Sequence, residues 1–380
     1  MKTIAIMVEN SRAYGRSMIE GIAAFAQEAR DWILRPLTVE DAFTARLFDF
    51  DGVIARIADD HTADRLAEAQ LPIVDVFCQK RREGFGAVDS NHKLIGEMAR
   101  TFFAHRGFQN LAYCGLPGSS FSDAREKAFA TDGTFVYTRP TQDAVDESQF
   151  YAERVDRIPD ARPLRDWIVS LPKPVAVFCC NDLRAIQLQQ VAMEAGLRVP
   201  QDIAILGVDD DTILCSFAKI PISSIRPNSF RVGYNAARLL RAQMDHPPAR
   251  RTPAVHVVKP GDIVERASTE FMPIDPPWLG NALIHIERNM RRPIGANEIF
   301  KLCGRSGTYV EQIFRRKLGL SVQAYITTVK MREAKRLLAD PSLRISEVAD
   351  LCGFTTPQYF TRTFTATFNV NPKAYRATST

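Results

Sequence analysis

The chain has 380 residues, 46% of them hydrophobic and 24% charged, a composition that is typical of folded globular domains and excludes a disordered or fibrous chain. No apolar run approaches the roughly 18 residues of a membrane span, and Glu9 and Asn10 interrupt the apolar N-terminus too early for a signal peptide. The seven cysteines lack CxxC spacing, so we expect reduced, mostly buried thiols in a cytoplasmic protein, with no disulfide framework, metal site or cofactor.

The charge is unevenly distributed along the chain. Residues 278–380 contain 16 Lys and Arg and 7 Asp and Glu, a formal charge of +9, whereas the remaining residues carry a formal charge of −4. This asymmetry suggests a polyanionic partner for the C-terminal part. A solvated basic surface would give the same count, so the charge alone does not decide between them.

Residues 1 to about 260 alternate short apolar runs with amphipathic helical patterns. The predicted strands are residues 3–8, 52–57, 73–77, 111–114, 175–179 and 203–208, and the predicted helices include 17–29, 93–105 and 183–195. Nearly continuous apolar strands separated by helices are typical of parallel strands covered on both faces. The pattern therefore predicts a doubly wound α/β architecture.

Polar residues follow most of the predicted strands, at the carboxyl ends where α/β sheets bind ligands. They are residues 10–14, 75–79, Asp89, 115–120, Asn181 with Asp182, and 209–211. Carboxylate and amide groups in a cleft suit a polyhydroxylated ligand, and Tyr14, Phe77 and Phe121 could stack on the apolar face of a sugar ring. The alternative is that these residues cap helices and turns, as Asp and Asn at strand ends often do.

Four prolines between residues 260 and 277 predict a linker at 271–277, between a domain of residues 1–270 and one of residues 278–380. After Trp278 the strand pattern stops. The predicted helices are residues 279–290, 297–303, 308–317, 322–339, 346–352 and 357–367, followed by a short turn at 372–376. We therefore expect an all-α C-terminal domain.

This C-terminal domain contains an internal repeat with an offset of 50 residues. The aligned pairs are Phe314 and Phe364, Leu318 and Phe368, Leu320 and Val370, Val322 and Pro372, and Tyr325 and Tyr375. Gly304 and Gly353 suit the left-handed conformation that ends a helix, and Ser306 and Thr356 can cap the helix that follows. A short helix, a tight turn and a second helix form a helix-turn-helix unit, so the repeat predicts two of them.

The second unit resembles the signature of the AraC-type transcription regulators. The matching residues are Ile345, Val348, Ala349, Cys352, Gly353, Phe354, Tyr359, Phe360, Arg362, Phe364, Pro372, Tyr375 and Arg376. Asn369 replaces the glycine usual in that family. Gly307 and Tyr309 stand where small polar residues are common, which leaves base contacts by the first unit open. The resemblance implies double-stranded DNA as a partner, with two recognition helices in successive major-groove segments about 34 Å apart.

The outward positions of the two recognition helices are candidate base contacts. They are Thr308, Glu311 and Gln312 in the first helix and Gln358, Thr361 and Arg362 in the second. Arg pairs with guanine, Gln pairs with adenine, and Glu accepts a hydrogen bond from cytosine. Arg315 and Arg316, with Arg305 and Lys317, are candidate phosphate contacts. For each of these side chains the alternative is simple solvation.

The predicted domain of residues 1–270 resembles the LacI-type, periplasmic-binding-protein-like sensor domain, which has two lobes. The resemblance lies in residues 14–22, 124–129, 177–210 and 262–269. It implies that Arg125, Asn181 and Asp209 contact the effector, and we add Tyr14, Asp89 and Asp182 as candidates. A LacI-type domain ahead of an AraC-type domain resembles the xylose-operon regulators, which implies xylose or a related pentose as effector, a homodimer, and RNA polymerase as a further partner.

Two other classes of protein were considered. An enzyme is not expected, because the loop at 115–120 lacks the GK[ST] ending of a P-loop and no GxSxG, HExxH or GxGxxG motif occurs. A sugar-binding transport protein would need export and would leave the basic C-terminal part unexplained. Among regulators, the AraC-type resemblance favours an activator, while a sugar-responsive repressor stays open.

Overall fold

The computed structural model describes residues 1–38, 41, 43, 47–116, 118–137, 161–245, 255–340 and 342–379. The chain folds into two compact units, Met1–Glu270 and Phe271–Thr380. Pro117, inside the predicted loop at 115–120, lies outside the described residues. Among the helices of the described ranges, none is long and apolar enough to cross a membrane.

The first unit contains two six-stranded sheets, one in each of two lobes. The strands of the first lobe are β1 (Lys2–Met7), β2 (Trp32–Pro36), β3 (Gly52–Ala55), β4 (Ile73–Asp75), β5 (Gly86–Ser90) and β11 (Val255–Val258). Those of the second lobe are β6 (Asn110–Cys114), β7 (Phe135–Val136), β8 (Val175–Cys179), β9 (Ile203–Val208), β10 (Ser223–Ile225) and β12 (Ile263–Val264). The strand orders are β11-β5-β4-β3-β1-β2 and β12-β10-β9-β8-β6-β7, and every neighbouring pair is parallel except β10 with β12.

Eight helices cover these sheets within the described residues. They are α1 (Ala13–Ala29), α2 (Asp60–Glu68), α3 (His92–His105), α4 (Ser120–Phe129), α5 (Arg162–Ser170), α6 (Asp182–Glu194), α7 (Thr212–Phe217) and α8 (Ser229–Met244). In the first lobe, α1 and α8 pack with β1, β3 and β4 around Ile4, Ile22 and Val232. In the second, α5 and α6 pack on β8 and β9, all of whose residues are buried, as expected for strands covered on both faces.

The chain crosses between the two lobes at three places, after β5, after β10 and after β11. These crossings are hydrogen-bonded to one another. The Asn91 amide donates to the Val258 carbonyl at 2.8 Å, the Ser90 hydroxyl donates to the Pro227 carbonyl at 3.2 Å, and the Gly261 amide donates to the Arg226 carbonyl at 2.8 Å. The crossings therefore form one connected hinge, a geometry that lets two lobes move as bodies.

The second unit is helical throughout its described residues. Its helices are α9 (Pro277–Arg288), α10 (Ala296–Cys303), α11 (Gly307–Leu318), α12 (Val322–Leu338), α13 (Ile345–Leu351), α14 (Pro357–Phe368) and α15 (Pro372–Ser379). They enclose two apolar cores, one around Phe314 and the other around Phe360 and Phe364. Helix α12 contributes Val329 to the first core and Met331 to the second, so it fixes the spacing between the two helix pairs.

The structure confirms the predicted fold class, a two-lobed α/β domain followed by an all-α domain. All six predicted strands and all six predicted C-terminal helices are present, with ends that shift by one or two residues, and the short turn at 372–376 is part of α15. The seven cysteines are free, and five of them are buried. Strands β2, β5, β7, β10, β11 and β12 were not predicted from the sequence.

Two glycines allow α1 and α8 to cross in close contact. A Cβ atom at Gly21 would lie 2.0 Å from the Phe230 carbonyl oxygen, and one at Gly233 would lie 1.9 Å from the Met18 carbonyl oxygen. Because backbone atoms cannot rotate away as side chains do, a methyl group at either position has to separate the helices.

We predict that Gly233→Ala lowers the free energy of unfolding of the first unit by roughly 1–3 kcal/mol, the range for overpacked cores. The measurement is the midpoint of urea unfolding, followed by intrinsic tryptophan fluorescence, to which Trp32 and Trp167 of the first unit contribute. Gly295→Ala is the control, since a Cβ at Gly295 would meet no atom within 4 Å. Equal midpoints for Gly233→Ala and the unmodified protein would contradict the prediction.

Candidate ligand cleft and nucleic-acid interface

A cavity lies between the two lobes of the first unit, where the carboxyl ends of both parallel sheets face each other. Its lining residues are Glu9, Arg12, Tyr14, Gly15, Arg56, Phe77, Asp89, His92, Phe121, Arg125, Asn181 and Asp209. The structure thus brings together five of the six predicted effector contacts, which are Tyr14, Asp89, Arg125, Asn181 and Asp209. Their function as ligand contacts stays a prediction.

On the side of the first lobe, the polar groups are held by one another. The Tyr14 hydroxyl lies 3.1 Å from the Ser90 hydroxyl, and Asp89 Oδ1 lies 3.1 Å from His92 Nε2. Burial lowers the pKa of His92 and raises the pKa of Tyr14. At neutral pH this wall therefore presents a neutral imidazole and a neutral phenol beside the Asp89 carboxyl group.

Two aromatic rings form apolar walls of the cavity. The centroids of the Phe77 and Phe121 rings are 6.1 Å apart, and their planes meet at 50°. The Arg56 guanidinium carbon lies 3.9 Å above the Phe77 ring, and that of Arg125 lies 5.1 Å from the centroid of Phe121. Such cation–π contacts place both guanidinium groups beside the rings, where their N–H groups can donate hydrogen bonds.

On the side of the second lobe, Asn181 and Arg125 are fixed by the backbone. Asn181 is the N-cap of α6, and its Oδ1 accepts a hydrogen bond from the Arg184 amide at 2.8 Å, so its side-chain NH2 group is left for other partners. Arg125 donates to the Cys180 carbonyl and is only 2% exposed. Within the described residues, Arg125 Nε has no hydrogen-bond acceptor, and a bound ligand could supply one.

Asp209 is held in a strained backbone conformation, with φ = 115°. The Asp209 amide donates to the Ile225 carbonyl at 3.0 Å, and the Asp211 amide donates to Asp182 Oδ2 at 2.9 Å. Burial raises the pKa of the Asp209 carboxyl group to about 6, against the opposing effect of the nearby arginines. The anchored loop thus keeps an ionisable carboxyl group in the cavity.

The sixth predicted effector contact, Asp182, is not among the residues that line the cavity. It is 1% exposed, and its Oδ1 accepts a hydrogen bond from the Ser224 hydroxyl at 2.6 Å. Asp182 is the first residue of α6, and its Oδ2 accepts from the Asp211 amide in the loop of Asp209. In this structure Asp182 supports that loop, and its function as an effector contact stays a prediction.

Four cavity residues were not selected from the sequence: Glu9, Gly15, Arg56 and His92, whereas Arg12 lies in the selected stretch 10–14. Arg56 directly follows β3, so the expectation that ligand contacts lie at the carboxyl ends of the strands could have identified it. His92 is the first residue of α3, and its ring lines the cavity 3.1 Å from Asp89 Oδ1. His92 follows β5 by two residues, so the same argument could have selected it.

Hydrogen bonds and an ion pair between the two lobes join them at two places beside the cavity. The Gln79 side chain donates to the Gly118 carbonyl at 2.7 Å and accepts from the Ser120 amide at 2.8 Å. Asp211 Oδ2 accepts from the Ala13 amide at 3.1 Å and lies 3.6 Å from Arg16. The cavity is therefore described in a closed arrangement of the lobes.

In the second unit, the first helix-turn-helix pair is α10 and α11. Gly304 ends α10 with φ = 60°, and the Ser306 hydroxyl accepts from the Tyr309 amide at 3.3 Å as the N-cap of α11. The predicted contacts that are exposed on this pair are Thr308, Gln312, Arg315 and Arg316. Glu311 is partly buried, because its carboxylate accepts from the Val322 amide at 3.3 Å and lies 3.9 Å from Arg315. This carboxylate therefore caps α12 as well as facing outward.

In the second pair, α13 and α14, the recognition helix also has an N-cap hydroxyl group and a left-handed residue at its end. The Thr356 hydroxyl accepts from the Tyr359 amide at 3.1 Å, and Asn369 ends α14 with φ = 57°. One open face of α14 is formed by the predicted contacts Gln358, Thr361 and Arg362 together with Pro357, Thr365 and Ala366.

A buried lysine of α12 fixes the turn between α13 and α14. Lys330 Nζ donates to the Gly353 carbonyl at 2.6 Å and to the Arg292 carbonyl at 3.0 Å. Burial lowers the pKa of Lys330. Gly353 has φ = 65°, and a Cβ there would lie 2.5 Å from the Arg292 carbonyl oxygen, so this turn requires glycine.

Known protein families match both units. A model described as a periplasmic binding protein-like domain matches residues 101–269, one described as a XylR N-terminal domain matches residues 3–84, and one described as a helix-turn-helix domain matches residues 301–378. The chain is a DNA-binding transcription regulator in which a periplasmic-binding-protein-like domain precedes a helix-turn-helix domain.

Its relatives match along nearly the whole chain. The xylose operon regulatory protein of Escherichia coli is 26% identical over 391 aligned residues, which cover 98% of this chain and 96% of that protein. The Haemophilus influenzae protein of the same name is 23% identical and covers 98% and 97%. The family matches and these relatives identify a regulator and not an enzyme.

Solved structures share the fold. The structure of the xylose-binding transcription activator xylR has a TM-score of 0.61 at 24% identity and covers 100% of this chain and 98% of its own. A LacI family transcriptional regulator from Enterococcus faecalis with bound ribose has a TM-score of 0.54 at 20% identity and covers 70% of this chain and 98% of its own. The part of this chain that the second structure matches is about as long as the first unit.

We predict that Arg362→Ala weakens specific DNA binding by about 1–3 kcal/mol, because one side chain that can pair with guanine is removed. The measurement is a fluorescence-anisotropy titration with a DNA sequence selected by the full-length protein. Arg332→Ala, at an exposed position of α12, is the matched control for the loss of one charge. Arg362 has no base-reading function if Arg362→Ala changes neither the affinity nor the sequence preference.

Proposed function

We propose that the protein senses a pentose in the cleft of its first unit, with D-xylose as the first candidate, and activates genes for pentose use by binding DNA through its second unit. Relatives that match over 98% of the chain carry the name xylose operon regulatory protein, and a structural neighbour is described as a xylose-binding activator. These names supply the candidate ligand, and the chemistry of the cleft is consistent with it.

The observation that carries the proposal is the composition of the cavity. Carboxyl groups of Asp89 and Asp209 can each accept hydrogen bonds from adjacent hydroxyl groups, while Arg125 and Asn181 can donate to ring and hydroxyl oxygens. Phe77 and Phe121 offer apolar surface to the C–H face of a sugar ring. Polar groups that fix orientation between aromatic walls are the usual design of a small-molecule site.

The DNA-binding half of the proposal depends on the two recognition helices. Both present polar side chains at corresponding exposed positions, Thr308 and Gln312 in α11 and Gln358 and Arg362 in α14. The first helix adds Arg315 and Arg316, which we assign to phosphate contacts that give affinity without reading sequence.

We also propose that the regulator acts as a homodimer in the cytoplasm and contacts RNA polymerase when it activates transcription. Helix α7 exposes two large apolar side chains, with Phe217 83% and Ile213 58% exposed, which is unusual for a surface without a partner. Sedimentation equilibrium with and without pentose measures the oligomeric state, and a monomer under both conditions would contradict the dimer.

The proposed function is tested by a thermal-shift screen of pentoses, hexoses and sugar acids on the full-length protein. We expect D-xylose or a related pentose to raise the unfolding temperature, since a ligand that binds only the folded state stabilises it. The bound sugar should then change the affinity for selected DNA, and that affinity should fall steeply with salt. If no pentose shifts the unfolding temperature or the DNA affinity, the pentose assignment is wrong.

We predict that pentose affinity falls about tenfold between pH 7.5 and pH 5. The pKa of Asp209 is raised to about 6, so the carboxylate that accepts sugar hydroxyls is ionised at pH 7.5 and about nine-tenths protonated at pH 5. Isothermal titration calorimetry at the two pH values measures the change.

Asp75 provides the control for this pH effect. Burial raises its pKa to about 6 as well, but its carboxylate accepts from the Phe77 amide at 2.9 Å and does not line the cavity. Asp75→Asn should therefore keep most of the pH dependence, whereas Asp209→Asn should bind weakly at both pH values. The same affinity at pH 7.5 and pH 5 would contradict the assignment of Asp209.

A further inference from the structure

The last turns of the two recognition helices carry different side chains, although both helices begin at a capping hydroxyl group and end at a left-handed residue. In α11 this turn holds Arg315, Arg316 and Lys317, whereas in α14 the corresponding residues, 50 positions later, are Thr365, Ala366 and Thr367. All three residues of α14 are exposed. One helix therefore ends in three cations, and the other ends in uncharged side chains that bear methyl groups.

The threonine hydroxyl groups of α14 are used inside the helix. The Thr365 hydroxyl donates to the Thr361 carbonyl at 2.8 Å, and the Thr367 hydroxyl donates to the Thr363 carbonyl at the same distance. Such bonds to the preceding turn engage the hydroxyl hydrogen. The Thr365 methyl group is then the part of the side chain left to meet a partner.

Thr365 and Ala366 lie on the face of α14 that also carries Gln358 and Arg362, whereas Thr367 does not. From Gln358 to Ala366 the helix advances about 12 Å along its axis, close to the width of the major groove, about 12 Å. The polar and the methyl-bearing parts of this face can therefore meet base edges in the same groove.

We propose that Thr365 and Ala366 determine specificity by contacting the C5-methyl group of thymine in the major groove. Thymine is the one DNA base that presents a methyl group there, and apolar contacts from Thr and Ala methyl groups read it. A phosphate partner is not favoured at these positions, because neither side chain carries charge. The inference rests on the proposed binding of DNA by α14 and goes beyond it by naming the base and the group recognised.

The experiment uses the full-length protein and a DNA site selected from a random library. Each thymine of that site is replaced in turn by deoxyuridine, which removes only the C5-methyl group. At one or two thymines we expect an affinity loss of about fourfold, which corresponds to roughly 0.8 kcal/mol for one buried methyl group. Thr365→Ser should weaken binding by a similar factor and should no longer respond to deoxyuridine at the same position.

Two variants separate the methyl contact from other effects of substitution. Thr365→Val keeps a methyl group and removes the hydroxyl, so it should retain the response to deoxyuridine. Thr367→Ser makes the same chemical change as Thr365→Ser on the same helix but off the face, so it should bind like the unmodified protein. Circular dichroism confirms that each variant keeps its helices.

The outcomes distinguish this inference from the proposed function. If the protein selects no DNA sequence and shows no salt-dependent binding, both are wrong. If it binds a selected site but no deoxyuridine replacement changes the affinity, or Thr365→Ser keeps the full response, the thymine-methyl inference is wrong while DNA binding by the second unit stands.

Discussion

The parallel pairing of the strands is the constraint on which the first unit depends. Each lobe returns to its sheet through a helix, so the carboxyl ends of its parallel strands share one edge, and the two lobes turn these edges toward each other. Polar residues that cannot be buried between a sheet and its helices are placed in the loops at these edges. One cavity consequently receives side chains that are far apart in sequence, such as Glu9, Asp89 and Asp209. Their concentration has an electrostatic consequence, because burial raises the pKa of Asp209 to about 6.

The second unit depends on a different constraint, the length of α12. Because Val329 and Met331 belong to different cores, this single helix sets the distance between the two helix pairs. Caps and left-handed turns at corresponding positions, with Gly319 at the end of α11 and Asn369 at the end of α14, reproduce the same frame twice. Identical frames leave the exposed residues free to differ. The first helix carries clustered cations and the second carries polar and methyl-bearing groups, so the repeat combines a similar backbone with two surface chemistries.

The strands and helices that could be predicted are those whose pattern of apolar residues matches their burial in the structure. Strands such as β8 are unbroken apolar runs, and the C-terminal helices have capping residues and a regular apolar face, so both kinds could be predicted. Strand β11 could not, because it lies at a sheet edge and only Val258 is buried. In the cleft, the expectation that ligands bind at the carboxyl ends of parallel strands selected Tyr14, Asn181 and Asp209. It was not extended to His92, which follows β5 by two residues, and it did not separate Asn181, which lines the cavity, from Asp182, which does not.

A ligand that spans the cleft would stabilise the closed arrangement of the lobes. Among the described residues, Gln79 makes two hydrogen bonds across the cleft, and Asp211 makes one together with a longer ion pair. Each hydrogen bond contributes only about 0.5–1.5 kcal/mol net, because water satisfies the same groups when the lobes separate. Asp209 and Arg125 are buried in this closed arrangement, and the desolvation of their charges opposes it. A ligand that bonds to Asp89 of one lobe and to Asp209 of the other adds contacts that exist only in the closed arrangement, and this differential affinity is what allows it to shift the equilibrium between open and closed lobes.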